Sequence, residues 1–302
     1  MEPISNAGNV QLAINGLSKK TGCRAGKRNL HHHIRTSNQQ RLPSKLTPIL
    51  RSNHNKRGAL LPCMLYTNCR SLNTWKLSEL EVSTKLHSPD LICLTETWVD
   101  TTTQQTISID NYQNYFSHRL VRRGGGVGIL VHHNINPVLL SSHTAPTVST
   151  IWLMIDITAC SPIIVGCIYH SPNGSNELSL DRITTTILQL TRQHTSAEFI
   201  LTGDFNNLPI ADTCEQLGLR DLVNFATRLN NQLDSILTDI ADYEEVKKLS
   251  PLALNDHCCI LVDGQRTAHA LRIHQSKAEG CNPTTKGRSD MCPHQRRLVI
   301  NS

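Results

Sequence analysis

Seven polar positions in the 302-residue chain share one kind of location. Asn68, Glu96, Tyr169, Asp204, Asn206, Asp256 and His257 each fall at the end of a short apolar run or just before one begins. Alone, each has an ordinary explanation, because an Asn, Glu or Asp after a strand serves as a turn or cap residue and a Tyr packs. As a set they ask for more. Carboxylates, carboxamides, a phenol and an imidazole at successive strand ends are costly to bury unless they bond one another or a metal ion. Acid–base transfer, metal binding or both are the chemistry such a set can support. Strand ends along one edge of a sheet are where a fold gathers groups distant in sequence.

The elements that must position these groups can be read between residues 61 and 263. Short strands are expected at Cys63–Thr67, Leu91–Leu94, Val127–His132, Ile151–Ile157, Ile163–Tyr169, Phe199–Leu201, Leu233–Leu237 and Cys258–Val262. Leu77, Leu80, Val82 and Leu86 at helical spacing predict an amphipathic helix over Trp75–Leu86. Further helices are expected at Leu178–Arg192 and Ala211–Leu217. Strands interleaved with helices, many meeting at hairpin-like connections, predict a mixed-sheet α/β domain.

Composition bounds the rest. Residues 1–60 hold eleven basic residues and one acid, +10, and residues 264–302 hold seven basic and two acids, +5. The middle, 61–263, carries twelve basic and twenty-one acidic residues, −9. This split predicts an N-terminal arm over 1–60 and a tail over 264–302, both polar, basic and without order, around one domain. The run His31-His32-His33 in the arm reads as low-complexity sequence. The most apolar stretch, Ile151–Tyr169, is broken by Asp156, Ser161 and Pro162, which argues against a membrane helix. The polar N-terminus offers no secretory h-region. Eleven scattered cysteines with no CxxC pair read as reduced thiols, and Cys281, Cys292 and His294 lack zinc-finger spacing.

The wording around the polar positions resembles the endonuclease/exonuclease/phosphatase superfamily. Asn68 in TNCRSL, Glu96 in LTETW, Tyr169 in IYHSP, Asp204 and Asn206 in GDFN, Asp234 in LDSILT and Asp256-His257 in NDHC follow that superfamily's order. The motifs look most like the endonuclease domain of non-LTR retrotransposons, and Arg70 two residues after Asn68 is common in that subgroup. Two boxes depart from its pattern: Asn255 stands where a Ser is usual, and Leu229 replaces a Gly in the stretch Thr227-Arg228-Leu229-Asn230-Asn231. The resemblance implies a four-layer sandwich of two packed mixed β-sheets flanked by helices.

It also implies roles. Phosphodiester hydrolysis needs a metal to neutralise developing charge, a positioned water and donors around the phosphate. By similarity, Glu96 is the principal ligand of Mg2+, with Mn2+ an alternative, Asn68 stands beside it, and Asp256 supports the metal site or the adjoining loop. Asp204 orients or deprotonates the attacking water, and Asn206 bonds the phosphate or that water. His257 donates to a phosphate oxygen, held in its tautomer by Asp234, and Tyr169 contacts the phosphate or metal shell. Arg70, Arg122 and Arg123 are candidate phosphate contacts, although Arg122-Arg123-Gly124-Gly125-Gly126 reads equally well as a glycine-rich hairpin turn. His170 reads as a loop residue.

The leading expectation is therefore a DNA-nicking endonuclease of retrotransposon type, with DNA and a reverse transcriptase of the same element as partners and no membrane. Nothing in 264–302 resembles a polymerase. A phosphatase or phosphodiesterase acting on another phosphoester is one alternative, and a catalytically silent remnant that binds nucleic acid through its basic ends is another. The pairs Lys19-Lys20 and Lys27-Arg28 are too thin to define a nuclear signal.

Overall fold

A computed structural model describes residues 61–118, 124–156, 161–243 and 246–264. The expected arm, the expected tail beyond Gly264, and Arg122 and Arg123 lie outside the described residues. In chain order the elements are β1 (Met64–Asn68), α1 (Thr74–His87), β2 (Leu91–Thr95), a 3-10 turn (Thr103–Thr106), β3 (Tyr112–Ser117), β4 (Val127–His132), β5 (Pro137–Thr144), β6 (Val148–Ile155), β7 (Ile163–His170) and α2 (Asn176–Gln193). There follow β8 (Glu198–Asp204), α3 (Ala211–Leu217), β9 (Arg220–Asp221), β10 (Asp234–Thr238), β11 (Val246–Leu249) and β12 (Cys259–Val262).

Two six-stranded sheets result, ordered β11-β12-β1-β2-β4-β3 and β5-β6-β7-β8-β10-β9. Both repeat one pattern. At each centre is a parallel pair joined by a helix, β1–α1–β2 in one sheet and β7–α2–β8 in the other. Every flanking pairing is antiparallel. Parallel strands need such a crossover, which explains where the two long helices fall.

The inner faces of the sheets pack together through Met64, Tyr66, Cys93, Ile129, Ile151, Val165, Cys167, Ile200, Ile236 and Ile260. On the outer face of the first sheet, Leu80 of α1 joins Leu65, Leu94, Leu130 and Leu261. On the outer face of the second, Ile183, Ile187 and Leu190 of α2 join Trp152, Ile168, Phe199 and Leu201. Helix, sheet, sheet and helix make the four-layer sandwich that the sequence implied. Each fully buried Leu, Ile or Val contributes roughly 1.5–3 kcal/mol.

The first helix differs from its expected pattern. Asn73 caps it by accepting from the Lys76 amide, 3.0 Å away, but only Leu80 among its apolar residues is fully buried. Val82 and Leu86 face outward. The cysteines match their expected state: Cys63, Cys69, Cys93, Cys167, Cys214, Cys258 and Cys259 are buried free thiols. Among the described residues, no helix is long and apolar enough to cross a membrane.

Candidate active site

The C-terminal ends of both parallel pairs point to the same rim of the sandwich. From the first sheet come Asn68, the last residue of β1, and Glu96, which follows β2. From the second come Tyr169 on β7 and Asp204, the last residue of β8, which stand side by side in parallel register. Asp234 opens β10 directly opposite Asp204. Gly203 allows this close pairing, because a Cβ there would stand 1.9 Å from the Ile168 carbonyl oxygen.

His257 and Asp234 meet across the sheets. The ring Nδ1 lies 2.7 Å from Asp234 Oδ2, with both side chains buried. The other carboxylate oxygen accepts a 2.5 Å bond from the Tyr66 hydroxyl, which also lies 3.0 Å from Thr95 Oγ1. The Thr227 hydroxyl accepts from the Leu233 and Asp234 amides, and the Cys258 amide donates to the Thr227 carbonyl. One loop thus fixes both members of the pair. Their bond makes Nδ1 the protonated nitrogen and leaves Nε2 outside the pair.

Asn68 is the second junction. Its Nδ2 donates to Asp204 Oδ2 at 2.8 Å and to Glu96 Oε1 at 3.3 Å, while its Oδ1 accepts from the Arg70 amide. Glu96 holds a left-handed φ of 48°, and its Oε2 accepts from the Trp98 indole at 3.3 Å. Gly125 and Gly126 hold the Glu96 loop in place, since their carbonyls accept from the Trp98 and Thr97 amides. A Cβ at Gly126 would stand 2.9 Å from Thr97 Oγ1.

Burial and neighbouring charge bias the protons. Burial, and then the charge of Asp234, push the Asp204 carboxyl up to about 7 against a counter-pull from His257. For His257 burial pulls downward, but the hydrogen bond and charge of Asp234 outweigh it and hold the ring above its ordinary value. Burial, then the charges of Asp234 and Asp204, raise the Tyr66 phenol far up, so it stays a donor. Asp204, Asp234 and His257 each present one ligand atom, all within 4.8 Å of one another.

The remaining expected positions fall around this cluster. The Asn206 amide donates to Asp204 Oδ1 at 3.0 Å, and its side-chain Nδ2 donates to the His170 carbonyl at 2.7 Å. Tyr169 is buried against the inter-sheet core. Asp256 turns to cations: its Oδ2 lies 2.8 Å from Arg228 Nε, 2.7 Å from Arg228 Nη2 and 3.7 Å from Arg70 Nη1. Partial burial acts against this, yet the Arg228 bond and charge hold the Asp256 carboxyl below its usual range. His170 corrects the loop reading, since it ends β7, is buried, and bonds Ser179 and Asn176 at 3.0 Å each.

Sequence reasoning missed Tyr66, Trp98 and Arg228 as parts of the site, along with Asn255, whose Nδ2 donates to the Asn68 carbonyl. One signal for Tyr66 was present. It sits two residues before Asn68 on the same strand, and side chains two apart share a face.

No curated protein matches the chain in sequence. Solved structures match it as folds. D. rerio TDP2 complexed with a single-strand DNA product superposes with a TM-score of 0.53 at 14% identity, over 69% of this chain and 100% of that one. The human Nocturnin catalytic domain with bound sulfate gives 0.52 at 13%, over 68% and 94%. The AP endonuclease LMAP from Leishmania major gives 0.51 at 14%, over 69% and 88%. The family profile described as "Endonuclease/Exonuclease/phosphatase family" matches residues 65–282, well over half of the chain, and spans every site residue above. On that match, and with the two-sheet fold beneath it, the chain belongs to the endonuclease/exonuclease/phosphatase family.

Proposed function

We propose that the chain is a Mg2+-dependent endonuclease that nicks DNA, of the kind found in non-LTR retrotransposons. The observation that carries the reading is the joined cluster. Asn68 ties Glu96 to Asp204, Asp204 faces Asp234, and Asp234 orients His257.

The donor set fits a hard divalent cation. Glu96 would hold it through a carboxylate oxygen, as Mg2+ prefers and Mn2+ accepts, with Asn68 beside it bonding Glu96 through Nδ2. Asp234 and His257 bond each other through Oδ2 and Nδ1, the pairing that orients an imidazole for acid–base work, so we assign them to proton handling. When bound, the cation neutralises charge on the scissile phosphate.

The chain's own residues do the rest. Asp204, raised toward neutrality, takes a proton from the attacking water near the working pH. His257 donates from Nε2 to a phosphate oxygen while Asp234 supports the imidazolium. Asn206 and Tyr169 border the phosphate position, and Asp256 with Arg228 and Arg70 steadies the neighbouring loop. Arg70, with its side chain 58% exposed and 3.7 Å from Asp256, would exchange that loose contact for a flanking phosphate.

The subgroup reading rests on the wording of the motifs and on the basic end segments, whose Lys and Arg suit a polyphosphate partner. A reverse transcriptase of the same element would extend the 3′-hydroxyl that the nick leaves. The test is nicking of supercoiled plasmid with Mg2+, with Glu96→Ala and His257→Ala as controls. Nicking by the wild type alone is expected. Equal nicking by all three, or none by the wild type, defeats the proposal. A panel of nucleotide, inositol and sugar phosphoesters distinguishes a phosphatase of the same fold.

A further inference from the structure

One lysine stands where a helix should repel it. Helix α1 has no acidic residue in its first turn, and its third residue is Lys76. Unpaired amides make that end of a helix positive, so a cation there is unfavourable unless another group holds it. Lys76 is held by turning back out of the helix. Its Nζ donates to the Cys69 carbonyl at 2.5 Å and to the Arg70 carbonyl at 3.1 Å, and the residue is half-buried.

The loop that it grips needs holding. Between Asn68, which ends β1, and the Asn73 cap, Arg70 has φ 42° and Ser71 has φ 80°. Two successive non-glycine residues in left-handed backbone persist only where their surroundings over-determine them. Main-chain bonds to the end of β2 and the loop after it supply part of the hold. The Cys69, Ser71 and Leu72 amides donate to the Thr95, Glu96 and Thr97 carbonyls at 2.8, 2.8 and 2.9 Å. Lys76 supplies the rest from the carbonyl side.

This bent loop aims the site. The Arg70 amide donates to Asn68 Oδ1 at 3.0 Å, which turns the Asn68 carboxamide so that Nδ2 faces Asp204 and Glu96. The Ser71 amide meanwhile fixes the carbonyl of Glu96, itself left-handed at φ 48°. A loop relaxed toward ordinary backbone would swing the Arg70 amide away. Asn68 could then flip, presenting its oxygen in place of N–H to two carboxylates.

We infer that Lys76 is a positioning residue for the cation site. It offsets the strain at Arg70 and Ser71, and through them it sets Asn68 and Glu96, touching neither substrate nor cation itself. The inference rests on the reading of Glu96 as the cation ligand and adds a residue on which that ligand depends. A glycine at position 71 would hold φ 80° without strain, so in this respect it could replace the lysine.

That equivalence supplies the test. Lys76→Met keeps the apolar stem and removes the donors, Lys76→Arg keeps donors, and Ser71→Gly relieves the backbone. Lys76 is half-buried at a helix end, so its loss does not threaten the fold. Mn2+ binding to DNA-free protein, followed by electron paramagnetic resonance, reports the site without turnover. Lys76→Met is expected to raise the Mn2+ Kd about three- to tenfold, below the roughly 10–100-fold typical of partners that touch a ligand directly. In plasmid nicking with Mg2+, kcat should fall by a similar factor, while KM for DNA and its salt dependence stay unchanged. Adding Ser71→Gly to Lys76→Met should recover most of both losses, and Lys76→Arg should lose little of either.

An unchanged Mn2+ Kd and kcat in Lys76→Met would overturn the inference. A loss confined to KM, with a flatter salt dependence, would overturn it by making Lys76 a phosphate contact. A loss that Ser71→Gly leaves untouched would do the same by detaching Lys76 from the strained loop. A wild type that nicks no DNA, with the Mn2+ shift and its recovery intact, would remove the nuclease reading and leave the role of Lys76 standing.

Discussion

Replacing Asp234 with Asn tests the proton-handling arrangement most directly. The carboxylate receives two donors in a fully buried position, Tyr66 at 2.5 Å and His257 Nδ1 at 2.7 Å. An amide of the same shape offers one oxygen and one NH2, so one of the two donors must face another donor. Leaving a buried group unsatisfied costs about 1–3 kcal/mol, which for a domain of this size lowers Tm by roughly 2–12 °C. The rate suffers more. Without a negative partner the imidazolium loses support and the ring loses its fixed tautomer, so kcat should fall about 10²–10⁴-fold, the span of a general acid–base contribution. At 1.36 kcal/mol per factor of ten that is about 2.7–5.4 kcal/mol of barrier. KM should change little, because Asp234 is fully buried behind His257. Plasmid nicking at neutral pH, beside a thermal melt, reads both effects. A folded Asp234→Asn protein that keeps kcat within about threefold of wild type would refute the assignment of His257 to proton transfer.

Tyr66→Phe should cost about 1–2 kcal/mol of stability by stripping Asp234 of its second donor, and a double-mutant cycle with Asp234→Asn should show the two losses to be non-additive. Glu96→Gln should raise the Mg2+ concentration for half-maximal nicking by tenfold or more, about 1.4 kcal/mol, and a metal titration showing no shift would remove Glu96 from the cation site. In metal-free protein the pH dependence has a fixed sign. Asp204 and His257 both have raised folded values, so the folded state holds the extra protons. The Asp204 contribution is present at acid pH and is lost as pH rises toward about 7, and the His257 contribution is lost as pH rises through its raised value. Melting in chelator should therefore show Tm falling from weakly acid to weakly alkaline pH, with Asp204→Asn flattening the slope, and a wild-type Tm that rises over this range would contradict it.

Most of the scaffold was legible because central strands announce themselves. The expected strand at Val127–His132 and helix at Ala211–Leu217 coincide with β4 and α3, and the other central elements differ only at their ends. The four unread strands, β3, β5, β9 and β11, are the four sheet edges. An edge strand is half solvated, and the alternation in Pro137–Thr144 or Val246–Leu249 is too diluted by exposed positions to register as an apolar run. The site was legible where motif wording fixed a residue's type. It was illegible where a residue's role comes from the facing sheet. Tyr66 reads as a core aromatic until β10 arrives opposite it, and Asp256 reads as a member of the cluster until Arg228, 28 residues earlier, claims its carboxylate.

Neither sheet owns this site. Asn68, Glu96 and His257 belong to one layer and Asp204 and Asp234 to the other, and three short buried polar links join the halves: Asn68 to Asp204, Tyr66 to Asp234 and His257 to Asp234. A slip of one layer over the other by a single residue spacing would part all three while leaving every strand ladder unbroken. Catalysis is thus a more sensitive gauge of interlayer alignment than any measure of secondary structure. Core substitutions at Cys93, Ile129 or Val165, remote from substrate, should dim turnover well before circular dichroism registers a change.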